Sequence, residues 1–496
     1  MKRNQAMGTS RRDFLHRAGL VVATTVVGRT AIAAESTHPP VTRNVAPDAP
    51  VAKSIPSGSR YDVIVIGGGF AGLTAARDCS LRGMKTLLLE ARARIGGRTF
   101  TSSFIDDRLE LGGTWVHWTQ PFVWDEITRY GLHIVETPGA NPDHMTWISE
   151  GKRLNRDGES AFTMLADSMA KYCDVDGHSG RTVFPRAPEP FYHADLVRRY
   201  DKYSMIDRLN EMNFKPIIRD LIAPQLCINC NRDPSTGALI DQLKWWSLGQ
   251  FDMALLFDKL AKYRIEEGTS ALANSIISDG DVDVMLQAPV GAVDQTHGSV
   301  KVTTTYGSEY FARAVVCAAP VNVLKTIDFK PGLSALKLQA SRAGVTGLGT
   351  KCYILIKQKI GKWMGCGSFP NPITLVWTEQ QRDDGTLLVS FGPPAPGLLD
   401  ILDNDAVQAA LRKLLPGVDV VSTFGYQWVP DPYSQGTWCF YRPEQMTGDL
   451  KPLRAREGNV FFASADSAYG WRGFIDGAIE SGTRVGHDVT SFLKEG

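Results

Sequence analysis

No apolar run in these 496 residues reaches the roughly 18 that a membrane-spanning helix needs, so the pattern gives no transmembrane anchor. Neither sign of charge is in excess. Lys and Arg number 54 and Asp and Glu 53, leaving +1, which removes the broad field that a nucleic-acid or anionic-surface binder relies on. Recognition must therefore be local. Cysteine is sparse and scattered: among eight, Cys227 and Cys230 form the single C-x-x-C pair, with no second pair or His beside it. That spacing argues against a disulfide framework or a zinc site and for two thiols on one face of a helix expected over 215–229. Internal repeats and low-complexity tracts are also lacking.

The composition, 43% hydrophobic and 22% charged, is that of an ordinary globular protein, and the length predicts two or three intertwined domains large enough to enclose a cofactor. The N-terminus differs. Ser10, Arg11, Arg12, Asp13, Phe14 and Leu15 precede a short apolar stretch at 18–27 and then Ala31, Ile32 and Ala33, the order of a twin-arginine signal peptide. We assign 1–34 to that signal, with the twin-arginine translocase as partner and a periplasmic destination for an already folded chain. Residues 35–59, with repeated Pro and no apolar periodicity, read as an extended linker.

The folded body opens on a β-α-β unit. An apolar run at 61–66 ends in Gly67, Gly68, Gly69, Phe70, Ala71 and Gly72, a helical stretch follows to Arg82, and a second strand at 86–89 ends in Glu90. Gly67 allows the tight turn, Gly69 the approach of backbone to a pyrophosphate, and Gly72 close packing of helix on strand. The anion would meet the helix N-terminus, where free N–H groups and the dipole favour it, and Glu90 would accept from both ribose hydroxyls. A lone G-x-G-x-x-G is a weak signal; flanked by strand, helix and terminal acid it specifies a dinucleotide site.

Beyond it, amphipathic patterns at 161–172, 203–214 and 242–263 predict a mostly helical insertion. Strand-like alternation returns at 282–293, 300–305 and 310–320 and again over 350–428, with one helix near 404–414. The expected fold is α/β, a Rossmann-like cofactor domain assembled from 60–133, 263–330 and 455–496. An α+β substrate domain would be built from the helical insertion 134–262 and the strand-rich 331–454.

Three further blocks have no use in a nicotinamide-only domain: Ala91 to Arg98 with Gly96 and Gly97 between arginines, Leu111 to His117 with Gly112 and Gly113, and Gly470 to Ala478. In this order they resemble the flavin-containing amine oxidase family, the group of the monoamine oxidases, over about 61–493. Within it the blocks ending at Pro121, at 436–439 and at 470–480 are most similar to bacterial members that act in nicotine degradation. The resemblance implies non-covalent FAD held by Gly67, Gly69, Phe70, Ala71, Gly72, Glu90, Ala91, Arg92, Gly97, Arg98, Gly112, Gly113, Thr114, Trp115, Val290, Asp466 and Ile475. Ser464 stands where the family usually has Gly. Thr437 stands where covalent relatives carry the flavin-linking Cys.

It further implies that Lys351 is the lysine that holds a water against flavin N5, where the bland reading is a strand-end lysine solvated at its tip. Trp438 and Phe474 fall on the two aromatic positions flanking the amine, where the bland reading is core. The implied reaction is hydride transfer from the carbon beside a deprotonated amine to the flavin, then hydrolysis of the imine, with no Ser-His-Asp or metal set needed. His117 is a structural or flavin-side residue. The implied substrate is a small-molecule secondary amine, pseudooxynicotine, giving 4-oxo-4-(3-pyridyl)butanal and methylamine. Oxidation of nicotine to N-methylmyosmine, or of a biogenic amine or polyamine, is the alternative, and a non-catalytic flavin-binding scaffold is the alternative from another class. Arg442 and Arg472 are the arginines an amino-acid substrate would call on. Oxygen or a cytochrome c-type protein would accept the electrons, and a homodimer is the oligomer to test for.

Overall fold

The computed structural model describes residues 52–104, 107–137, 141–392 and 399–495. The signal assigned to 1–34, and the linker up to 51, lie outside the described residues. In chain order the elements that frame the site are β1 (Arg60–Ile66), α1 (Phe70–Leu81), β2 (Thr86–Leu89), α2 (Pro216–Cys230), α3 (Leu239–Leu248), α4 (Met253–Ala261), β3 (Thr350–Ile356) and α5 (Ile475–Glu495).

An eight-stranded sheet has β1 near its middle, parallel to Glu309–Cys317 on one side and to β2 on the other. Val282–Met285 and Val460–Phe462 extend the parallel set. The sheet thus draws on three separated stretches of chain. β1 is an unbroken apolar run because it is buried on both faces. Val63 and Val65 pack into one core with Leu73 of α1 and Val485 of α5, while Ile64 and Ile66 pack into the other with Val293 and Val302.

A second sheet of seven strands runs Val420–Gly425, β3, Gly385–Gly392, Leu375–Arg382, Trp363–Cys366, His144–Ser149 and Lys152–Asp157. The stretch 134–262 is mostly helical as expected, and it also carries a hairpin that extends the strand-rich sheet, joined in parallel to Trp363–Cys366. Lys152–Asp157 is an edge strand left largely exposed, so it lacks the alternation by which a half-buried strand announces itself. The helix expected over 242–263 is also divided. Gln250 and Phe251 take left-handed φ of 58° and 62°, and Asp252 then caps α4 by accepting from Leu255 N at 2.8 Å. Residues 263–265 leave the helix to form a short strand antiparallel to Ile134–Glu136. The strand expected over 282–293 is likewise two, Val282–Met285 and Val290–His297, parted at Gln287 with φ 53°.

Candidate active site

A cavity of about 540 Å³ runs from the ends of β1 and β2 to the helices α2–α4. At its first end α1 begins with no side-chain cap and no acid in its first turn, so its leading N–H groups are left for an anion. Gly67 has φ of 100°, and a Cβ on Gly72 would stand 1.9 Å from the Gly67 carbonyl oxygen. Gly72 therefore sets helix against strand and is not among the cavity-lining residues. Gly97, at φ 61°, approaches Gly69 so closely that a Cβ would lie 3.0 Å from the Gly69 Cα. The Glu90 carboxylate is buried and held by Gly68 N at 2.6 Å and Arg92 N at 2.8 Å. Burial raises its pKa, against the opposing pull of those two hydrogen bonds and of the Arg92 and Arg94 charges.

The arginines all have protein partners. Arg92 pairs with Asp431 at 2.6 Å and lies 3.8 Å from Glu90. Arg94 donates to the backbone carbonyls of Ile95, Gly97 and Thr99, which holds the glycine turn in shape. Arg98 donates to Thr437 O at 2.8 Å and to Asp466 Oδ1 at 2.7 Å. Asp466 is the second expected cofactor residue that does not line the cavity: fully buried, it takes Arg98 on one oxygen and Val321 N on the other, and so acts through Arg98. The serine at 464 has a task of its own, its Oγ accepting from Asp466 N at 3.2 Å.

The other expected residues line the cavity: Gly67, Gly69, Phe70, Ala71, Glu90, Ala91, Arg92, Gly97, Arg98, Gly112, Gly113, Thr114, Trp115, Val290 and Ile475, and with them Lys351, Trp438 and Phe474. Trp115 Nε1 is buried there without a partner among the described residues, an atom that calls for a ligand. An uncapped helix start, two glycine turns in contact, a buried carboxylate at the second strand end and an orphaned indole N–H together fit a dinucleotide with an aromatic ring system.

Lys351, the second residue of β3, has 5% of its surface exposed, which disposes of the solvated-tip reading. Its Nζ donates to Glu110 O at 2.6 Å, Gly112 O at 3.1 Å and Thr114 Oγ1 at 2.6 Å. Three ammonium protons thus meet three protein oxygens, and a water held by Lys351 would have to share one of them. Burial lowers this lysine to about 8, with Glu379 and Glu110 pulling the other way. Trp438 and Phe474 both line the cavity, and the chain beside them is in contact: Gly473 rests on the Cys439 backbone, where a Cβ would meet the carbonyl oxygen at 2.6 Å. Trp438 is fixed by its Nε1 donating to Asn229 O at 2.9 Å, and Phe474 packs on Trp245 and Trp471 at centroid distances of 5.2 Å.

His117 lies outside the lining. Its Nδ1 stands 2.8 Å from Thr119 Oγ1, and burial, with Lys259 and Lys262 nearby, lowers it to about 4, so it is neutral at pH 7. Arg472 is buried against Asp241 and over the Tyr441 ring, and Arg442 reaches the Gly344 carbonyl; neither lines the cavity. All eight cysteines are free and buried, Cys227 beside Thr374 and Cys230 against the Cys227 carbonyl.

Sequence reasoning missed the rest of the wall: Gln225 and Asn229 of α2, Trp245 of α3, Phe257 and Leu260 of α4, and Leu375, Trp377 and Phe391 of the second sheet. The i, i+4 spacing of Gln225 and Asn229 was a legible signal of two polar groups on one helix face.

Fold and site together define a dinucleotide-binding oxidoreductase with a separate, aromatic-walled substrate end. The family model for flavin containing amine oxidoreductases matches residues 70–490, and the chain belongs to that family. A pseudooxynicotine dehydrogenase from a Pseudomonas species is 43% identical over 88% of this chain and 87% of its own. A nicotine dehydrogenase from Pseudomonas putida is 36% identical over 98% of each, and bovine flavin-containing amine oxidase A is 26% identical over 89% and 87%. Among solved structures a putrescine oxidase variant superposes with a TM-score of 0.73 at 22% identity, covering 87% of this chain and 99% of that one, which shows a shared fold. The chain is a flavin-dependent, amine-acting oxidoreductase that takes a small-molecule amine and passes electrons to an acceptor.

Proposed function

We propose that the chain oxidises pseudooxynicotine to 4-oxo-4-(3-pyridyl)butanal and methylamine, with non-covalent FAD. The observation that carries it is the character of the substrate end: aromatic walls at Trp438 and Phe474, two neutral amides, and no carboxylate, Glu90 at the opposite end being the one acid among the lining residues. The 43% identical relative, named for pseudooxynicotine, supports the substrate. The 36% identical one supports nicotine as the second reading.

When bound, FAD supplies the two-electron acceptor. The chain's residues do the rest. The apolar walls strip water from the amine and favour its neutral form, and Trp438 and Phe474 orient the carbon beside nitrogen. Lys351 holds Gly112 and Thr114 in place beneath the reacting end. Loss of two electrons and two protons converts CH–NHCH3 to the imine, and water then releases aldehyde and methylamine.

Thr437, where covalent relatives carry Cys, supports non-covalent attachment, as does Cys439, buried with its Sγ 3.7 Å from Asp466 O and not among the cavity-lining residues. Both relatives are named dehydrogenases, which supports an acceptor other than oxygen, and a cytochrome c-type protein is the one proposed. The twin-arginine pattern at Arg11 and Arg12 supports export to the periplasm after the cofactor is loaded. Product analysis tests the substrate: incubation with pseudooxynicotine, in air and with cytochrome c, is expected to yield methylamine and the pyridyl aldehyde in equal amounts. Turnover of nicotine alone would select the second reading.

A further inference from the structure

Two carboxamides stand in the otherwise apolar substrate end, and a third on the neighbouring helix ties them into one chain. Gln225 Nε2 donates to Asn229 Oδ1 at 2.8 Å, and Asn229 Nδ2 donates to Gln242 Oε1 on α3 at 2.7 Å. Asn229 is 3% and Gln242 0% exposed, so the Asn229 amide is held between two partners away from water, and in either sense of the chain Gln225 keeps an N–H to offer. The same Asn229 fixes Trp438 through its backbone carbonyl. One helix, α2, therefore sets both the aromatic wall at the reacting end and the orientation of Gln225 one turn away.

Gln225 is the open end of this chain. It lines the cavity and also borders a small apolar recess formed by Phe162, Leu165, Met364 and Leu375. Among the described residues Asn229 is its one hydrogen-bond partner, which leaves its second Nε2–H and its Oε1 for a ligand. We infer that Gln225 is a specificity-determining residue: it donates a hydrogen bond to a neutral acceptor, a ketone oxygen or a pyridine-type nitrogen, carried by the amine substrate at a distance from the reacting carbon. The hydrocarbon between them lies along Phe257 and Leu375. A second ammonium group finds no carboxylate here and faces the amide alone, so diamines are selected against. The inference rests on the amine-oxidising reading and adds the chemistry of the substrate's far end.

Gln225→Met keeps length and removes the donor. Steady-state kinetics would compare pseudooxynicotine with N-methyl-4-phenylbutylamine, which keeps chain and ring and lacks both acceptors. The ratio of kcat/KM between the two is expected to fall about tenfold in the variant, through KM and not kcat, the size of one lost neutral hydrogen bond. An unchanged ratio overturns the inference. Gln225→Glu, nearly isosteric, is the second variant and covers a Gln225→Met protein that fails to bind flavin: its selectivity is expected to shift at least tenfold toward putrescine, and no shift overturns the assignment. Failure of the parent reading looks different, because the wild-type enzyme would then oxidise neither amine.

Discussion

Lys351→Met is expected to lower kcat about a hundredfold while the protein stays folded and yellow. The size is that of a roughly 1 Å misplacement of the segment that positions the reacting groups, about a hundredfold. The Lys351 Nζ ties together Glu110 O, Gly112 O and Thr114 Oγ1, three groups on the segment that lines the cavity beside Trp115. Tyr353 still donates to Glu110 O at 3.1 Å in the variant, so the carbonyl nearest the core keeps a partner and the fold survives. What is lost is the position of Gly112 to Thr114. Burial holds this lysine at about 8 in the folded protein against an ordinary 10.5. Between those values the unfolded chain binds more protons, so this group's contribution to stability is present above 10.5 and is lost as pH falls to 8. The kcat profile of the wild-type enzyme is expected to carry a limb near pH 8 that the Met variant lacks. A variant with undiminished kcat would return Lys351 to a purely structural role.

Gly72→Val is expected to give a chain that holds no flavin and unfolds at a much lower temperature. The new Cβ would lie 1.9 Å from a backbone oxygen, Gly67 O, and 3.2 Å from the Ala318 Cβ. No side chain there can swing aside. Relief requires α1 to move off β1, which opens the core at Leu73 and Val63 and carries the uncapped helix start away from the cavity. The cost falls in the exceptional range above roughly 4 kcal/mol. Gly448→Ala is the control, since nothing lies within 4 Å of its Cβ and the expected change is within about 0.5 kcal/mol. Thermal unfolding and the flavin-to-protein absorbance ratio measure both.

The contrast between Gly72 and Gln225 shows what could be read from the chain alone. The β-α-β unit was legible because its chemistry is local: a turn, a helix start and a terminal acid within some thirty residues, each with one physical reason to be there. Asp466 was placed on the cofactor by its position in a motif, but position does not say where a side chain points, and its carboxylate turns inward to Arg98 and Val321. The choice between an exposed and a buried Lys351 needed Glu110 and Gly112, some 240 residues away. Lys152–Asp157 escaped notice because an edge strand with both faces wet has no pattern. Gln225 and Asn229 sat inside an evident helix, yet which face met the cavity depended on α3 and on Trp438.

Anaerobic mixing of the flavin-loaded protein with pseudooxynicotine isolates the step in which the amine reduces the flavin. The yellow flavin band is expected to bleach within the time of a few turnovers, with one equivalent of methylamine released per flavin. A band that stays unchanged with pseudooxynicotine, nicotine and a panel of simple secondary amines would contradict amine oxidation and leave a flavin-binding scaffold in its place.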